Sequence, residues 1–269
     1  MTLKIVGLPQ DNNSSFMTGP ALGPDKIKEA LFSDSSNMFS ETGLDLGNEG
    51  IWEDVGNLNL NNLKGQAAFS KIRETILELL QKGDHFIGLG GDHSVSWPII
   101  DAHAEIYSSL NILHVDAHPD LYDSLLDNKY SHASPFARLM ESGKIKKLIQ
   151  VGIRTLNKHQ REQAERFDVE IHEMRDLSRV DKINFEGPVF CSVDLDALDP
   201  AFAPGVSHFE PGGMSTRYLL DLLRTFKGNL VGADIVEFNP RRDFHDLTAM
   251  VGAKILKELI SRIFITNYN

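Results

Sequence analysis

Apolar runs rich in β-branched residues alternate along this chain with stretches whose apolar positions recur every three to four residues, the two periodicities of buried strand and amphipathic helix. The runs predict strands at 3–8, 85–89, 112–115, 148–153, 189–193 and 230–236. The amphipathic stretches predict helices at 26–32, 63–81, 98–107, 135–142, 159–167, 216–225 and 248–262, with Gly83 just past the second as its C-terminal cap. Strands apolar throughout and separated by helices belong to a parallel sheet covered on both faces, so the expected class is α/β. No linker, repeat or low-complexity block divides the sequence, and one domain over 1–269 is expected. The Asn- and Ser-rich pieces 11–15, 33–40 and 57–62 read as surface loops.

Composition narrows the partners. The 269 residues carry a formal charge of -11, a surface that repels nucleic acid and anionic membrane and attracts a small cation. Cys191 is the one cysteine, so no internal disulfide can form, which fits a reducing compartment. Neither end shows an apolar run suited to a signal peptide or a spanning helix, and a cytoplasmic location is expected.

The candidate chemistry sits where strands end. The run Asp116-Ala117-His118-Pro119-Asp120 follows the 112–115 strand and sets three ligand side chains on alternate residues, which share a face if the strand continues. Leu89-Gly90-Gly91-Asp92-His93 ends another strand with an imidazole, and Asp194-Leu195-Asp196 ends a third with two carboxylates. Taken singly, His93 or His118 is more often an ordinary hydrogen-bonded histidine, and Asp194 or Asp196 a turn former. Together they describe one metal site at the carboxyl edge of a sheet. Carboxylate and imidazole suit Mn(II), and no cysteine cluster competes for the part. Glu237 ends the 230–236 strand, where a carboxylate can face the same spot. His114 lies within a strand and reads as core.

These motifs, with Gly90-Gly91-Asp92-His93-Ser94 and the stretch from Ser192 through Pro200, Pro204 and Gly212, resemble the ureohydrolases, the arginases, agmatinases and their relatives. The likeness spans about 83–253; YSHASPFARLM, DPAFAPGVSHFEPGG and GADIVEFNPRRD look closest to plant-type arginases, and the first eighty residues match only through Gly19-Pro20 and Gly23-Pro24. The resemblance implies a three-layer α/β/α fold and two manganese ions. It implies that His93, Asp116, Asp120 and Asp194 bind one ion and Asp116, His118, Asp194 and Asp196 the other. Hydroxide held between the ions would then attack a guanidino carbon, releasing urea and an amine. Glu237 would orient the guanidinium by paired charge-assisted hydrogen bonds, and His132 would transfer the proton. Asp120 would serve the catalytic centre as well as a metal. A homo-oligomer, trimer or hexamer, is implied too.

Substrate choice depends on the far end of the ligand. Where animal-type arginases have Asn and Asp, this chain has Tyr122, as agmatinases do, and Asn157. Asn128, Tyr130, Ser131 and Asn157 nevertheless sit in stretches of plant-type appearance, and the expected substrate-binding set is Tyr122, Asn128, Ser131, Asn157 and Glu237. L-arginine is the expected substrate, with agmatine or another guanidino acid as alternative. A single-zinc deacetylase of the same architecture and a non-catalytic ligand-binding relative remain rival readings.

Overall fold

The computed structural model describes residues 2–177 and 183–268. Eight strands form one sheet: β1 (Leu3–Leu8), β2 (Trp52–Asn57), β3 (His85–Gly90), β4 (Leu110–Val115), β5 (Ile145–Ile153), β6 (Glu170–Glu173), β7 (Asn184–Asp194) and β8 (Lys227–Val236). Seven α-helices accompany them: α1 (Gly23–Leu31), α2 (Gly65–Gln81), α3 (Ser96–Ile106), α4 (Pro135–Glu141), α5 (Lys158–Arg166), α6 (Thr216–Thr225) and α7 (Leu247–Tyr268). The strand order is β2-β1-β3-β8-β7-β4-β5-β6 and neighbours pair in parallel.

Alternation within the strands splits the core into two layers. Leu113 and Val115 of β4 pack with Ile27, Leu219 and Leu256 of α1, α6 and α7. Leu110 and Ile112 face the other way, toward Ile72, Ile99 and Phe136 of α2, α3 and α4. Because side chains in a strand alternate faces, a strand buried on both sides must be apolar throughout. The six central strands are apolar over most of their buried length, which is why the pattern marked them, although β4, β5, β7 and β8 also bury His114, Gln150, Ser192 and Asp234.

The two strands absent from the pattern, β2 and β6, lie at the sheet edges. β2 is mostly exposed and reads Trp-Glu-Asp-Val-Gly-Asn; β6 reads Glu-Ile-His-Glu. An edge strand bonds on one side only and tolerates polar side chains, so neither carries an apolar signature. Gly83 does follow α2 with φ 84, its N–H donating to Leu80 O at 2.9 Å. The expected α3 start at Pro98 shifts to Ser96, because a short 3-10 turn at His93–Val95 runs directly into the helix.

Candidate active site

Four strand ends deliver the chemistry, and tight turns aim it. Beyond β3 the chain presses against Gln10: a Cβ on Gly91 would stand 1.8 Å from the Gln10 carbonyl oxygen, so only glycine fits. Asp92 then caps the 3-10 turn by accepting from Ser94 N at 3.1 Å, which buries His93 at the sheet edge. The expectation that Asp116, His118 and Asp120 line up on a continuing strand is corrected here. β4 stops at Val115; Asp116 Oδ1 accepts from His118 N at 2.6 Å, and Asp120 takes φ 50. The three side chains meet because the chain turns. Asp194 Oδ1 likewise accepts from Asp196 N at 2.7 Å after β7. After β8, Glu237 adopts φ 62, a conformation rare for a non-glycine residue and common where a site is held under strain. Its N–H donates to Gly91 O at 2.8 Å and ties the ends of β8 and β3 together.

The imidazole of His93 carries the strongest evidence for a cation. Ser192 Oγ donates to Asp234 Oδ1 at 2.6 Å, so it accepts from His93 Nε2, 3.0 Å away, which must hold the ring proton. Nδ1 is therefore the ring nitrogen left to face the carboxylates. It is buried without a hydrogen-bond partner, yet Asp116, Asp120 and Asp194 place carboxylate oxygens 3.1, 3.1 and 3.2 Å from it. Three carboxylates around one ring nitrogen call for positive charge: burial works against an imidazolium, yet Asp116, Asp120 and Asp194 hold His93 well above its ordinary pKa, and a bound cation would supply that charge in the proton's place. A second convergence lies beside the first, where His118 Nδ1 stands 3.0 Å from Asp196 and 3.5 Å from Asp116. Asp116 belongs to both, one oxygen turned to each histidine. The residues present fit a pair of divalent ions.

Charge crowding points the same way. Burial, then the charges of Asp196 and Asp116, push the Asp194 carboxyl well above its ordinary range. Burial raises Asp196 to about 6 although His118 opposes the shift. Asp116 goes down: burial works against its charge, but His114, His118 and His93 outweigh it. His114 therefore corrects its reading as simple core. Its Nδ1 accepts from Gln150 Nε2 at 2.9 Å, leaving Nε2–H to donate to Asp116 Oδ2 at 2.8 Å. Hydrogen bonds of this kind, and the His93-Ser192-Asp234 chain, fix the orientation of metal-binding groups. Neither was legible as chemistry, because His114, Ser192 and Asp234 occupy strand-interior positions like any core residue.

Above these clusters opens a cavity of about 200 Å³ whose wall includes His118, Asp120, Tyr122, His132, Asp194, Asp196 and Glu237. Glu237 Oε1 accepts from His93 N and from His132 Nδ1, each at 2.9 Å. Its Oε2 has no partner among the described residues and is free for a ligand. His132 precedes α4 and is clamped from the other side by Ser15, whose N–H and Oγ stand 3.2 and 2.9 Å from Nε2. Burial disfavours the imidazolium, but the Glu237 carboxylate prevails and raises His132 to about 9. Ser15 also lines the cavity, so the 11–15 segment, expected to be a surface loop, is part of the site. Asp92 holds it there through Asn13 N at 2.9 Å.

Of the expected substrate-binding residues, Tyr122 and Glu237 reach the wall. Asn128, Ser131 and Asn157 do not. Asn128 accepts from Tyr130 N and donates to Asn13, while Ser131 Oγ accepts from Ala133 N. Asn157 caps α5 by accepting from Gln160 N at 2.9 Å and donates to Tyr122 OH at 2.5 Å. These three are consumed in shaping the turns around the cavity.

A parallel α/β sheet bearing two fused carboxylate-imidazole clusters beneath a carboxylate-lined cavity defines a binuclear metal hydrolase. Comparison with known proteins narrows the class. The chain belongs to the arginase family, whose model matches residues 1–261, so the likeness extends well beyond the 83–253 expected from motifs. A curated relative, "Arginase 1, mitochondrial" of Arabidopsis thaliana, is 44% identical over 275 residues, covering 96% of this chain and 80% of the relative. The solved arginase from Medicago truncatula superposes with a TM-score of 0.93 at 40% identity, covering 97% of this chain and 87% of that one. An agmatinase of Bacillus anthracis is more distant, 32% identical over 263 residues, 95% of this chain and 90% of its own length. The chain is thus a hydrolase acting on the C–N bond of a guanidino substrate. The expected cytoplasmic location is overturned by the same matches, since the Arabidopsis and rice relatives carry mitochondrial or chloroplastic names. No described helix is long and apolar enough to cross a membrane.

Proposed function

We propose that this protein is a manganese-dependent arginase, hydrolysing L-arginine to ornithine and urea, with 1–269 acting as one catalytic domain. The observation that carries the metal reading is the buried His93 Nδ1, without a hydrogen-bond partner yet within 3.1 to 3.2 Å of three carboxylates. His93, Asp116, Asp120 and Asp194 would hold one ion, and Asp116, His118, Asp194 and Asp196 the other. Oxygen and imidazole donors favour manganese, and the one thiol, Cys191, is buried and pushed up by burial to where it stays protonated. When bound, the ion pair supplies Lewis acidity and a water of lowered pKa.

The chain's own residues do the rest. Glu237 stays ionised: burial disfavours its charge, but the hydrogen bond and charge of His132 hold the carboxyl below its ordinary range. Its free Oε2 accepts from the guanidinium N–H groups and fixes the guanidino carbon above the clusters. His132, protonated on the Glu237 side, stands beside the cavity ready to give its proton to the departing amine. A deacetylase of this architecture needs one metal and would have no use for His93 and Asp120 as ligands of a second. Agmatinase is the second reading, supported by Tyr122 and by the more distant relative.

The test is urea release with manganese loaded, comparing L-arginine and agmatine. Higher kcat/KM on arginine is expected. Agmatine ahead by tenfold or more overturns the arginine assignment and leaves the ureohydrolase chemistry standing. The surface carries exposed Phe16, Phe32, Phe39 and Phe244, in keeping with a homo-oligomer, and light scattering should return a multiple of the 30.0 kDa chain.

A further inference from the structure

Both ring nitrogens of His132 are engaged. Nδ1 stands 2.9 Å from Glu237 Oε1, and Nε2 is met by Ser15, whose backbone N–H donates to it at 3.2 Å while Oγ lies 2.9 Å away. A backbone N–H can only donate, so Nε2 holds no proton in this geometry and the ring proton is on Nδ1. Such a ring has a proton for Glu237 and none for a leaving group. The proton-giving form carries a second proton, and Nε2 is the one nitrogen left for it. Two N–H donors would then face each other, and Oγ is the Ser15 group able to accept.

Ser15 is placed to do more than accept. It is exposed at the cavity wall, and its Oγ bonds to no other described residue. A hydroxyl that accepts from Nε2–H therefore keeps its own proton to turn toward a ligand. The segment that carries it is tied on both sides. Asn13 N donates to Asp92 Oδ2 and Asn13 Nδ2 to Ser94 Oγ, each at 2.9 Å, which anchors the segment to the turn after β3. Asn13 O accepts from His132 N at 3.3 Å and Asn13 Oδ1 from Asn128 Nδ2 at 3.2 Å, which anchors it to the stretch before α4. These anchors hold hydroxyl and imidazole at hydrogen-bond distance, the positioning that proton transfer needs.

We propose that Ser15 is a catalytic residue, its hydroxyl carrying the proton from His132 Nε2 to the departing nitrogen. The inference rests on the reading of His132 as the proton donor. In one step Nε2–H passes its proton to Oγ as Oγ–H passes its own to the nitrogen of the breaking C–N bond. The bond's electron pair goes to that nitrogen, the amine leaves, His132 is left neutral on Nε2, and Ser15 is unchanged.

The experiment measures arginine kinetics in manganese-loaded wild type, Ser15→Ala and Ser15→Thr, each across mixtures of light and heavy water. Ser15→Ala keeps the backbone N–H and removes the hydroxyl; Ser15→Thr keeps both. In Ser15→Ala, kcat should fall about tenfold or more with KM within about threefold of the wild type, and Ser15→Thr should restore kcat to within about threefold. Two protons in flight make kcat a bowed function of the deuterium fraction in the wild type and Ser15→Thr, and one makes it a straight line in Ser15→Ala. A residue that only steadied His132 would lower kcat without changing that curvature. A kcat within about threefold of the wild type in Ser15→Ala, or the same curvature in all three proteins, overturns the relay. His132→Asn tells the two failures apart: an unchanged kcat there removes the proton donor itself, whereas a loss there beside an unaffected Ser15→Ala removes the relay alone.

Discussion

At the residue scale, the site is a set of lone pairs and protons whose directions are forced by their neighbours. Glu237 divides its two oxygens, one on His93 N and His132 Nδ1, the other on the cavity. Glu237→Gln keeps an acceptor for His93 N yet loses the charge that meets a guanidinium. It should retain its metals and lose about 10³-fold in kcat/KM, in line with removal of a key charge-directed contact. Metal loss in that variant, read by elemental analysis, would move Glu237 into the metal shell. His132→Asn should fall by about 10² to 10⁴-fold in kcat, the usual range for general acid-base catalysis. An unchanged kcat would remove His132 from proton transfer.

The residue scale is also where the sequence said most and least. Asp116, His118, Asp120, Asp194 and Asp196 announced themselves because ligand types clustered after apolar runs. Asn128, Ser131 and Asn157 looked equally polar, but their hydrogen-bonding capacity is spent on local turns, which spacing cannot reveal.

At the scale of elements, helix α3 carries His103 into the apolar layer between Phe86 and Phe190. Its Nδ1–H donates to Ile99 O at 2.8 Å, and Nε2 is buried without a partner, so close to the sheet that a Cβ on Gly232 would stand 2.3 Å from it. Burial lowers the His103 pKa from 6.5 to about 4. Between those values the unfolded chain binds a proton that the folded one refuses, so stability is full above pH 6.5 and falls as pH drops toward 4. The slope from this one group is about 1.4 kcal/mol per pH unit. His103→Gln keeps a donor and removes the titration, and its denaturation midpoint should decline less than the wild type's from pH 7 to 4.5. Parallel curves for the two proteins would contradict the assignment.

Element boundaries were legible where the apolar pattern ran to the ends of the element, as in β1, buried on both faces, and α6, buried on one, each matched at both ends. They were lost at β2 and β6, where one-sided bonding leaves no apolar mark. The turn after β4 misled in a different way. Alternate spacing suggested an extended strand, whereas Asp116 bends the chain with its own carboxylate and reaches the same convergence by another route.

At the scale of the whole molecule, one parallel sheet brings residues from 93 to 237 to a common carboxyl edge. The order β3-β8-β7-β4 places Glu237, Asp194 and Asp116 on adjacent strand ends, flanked by His93. The overall charge of -11 draws cations toward that edge, substrate and metal alike. Each feature serves a pair of ions shared by Asp116, and everything proposed about the substrate depends on their presence. Manganese per chain, measured on protein loaded with the metal and freed of excess by gel filtration, tests this most directly. The account predicts two ions per chain in the wild type, with Asp194→Ala losing both the full complement and turnover. One ion per chain, or two ions with near-normal turnover in Asp194→Ala, would contradict it.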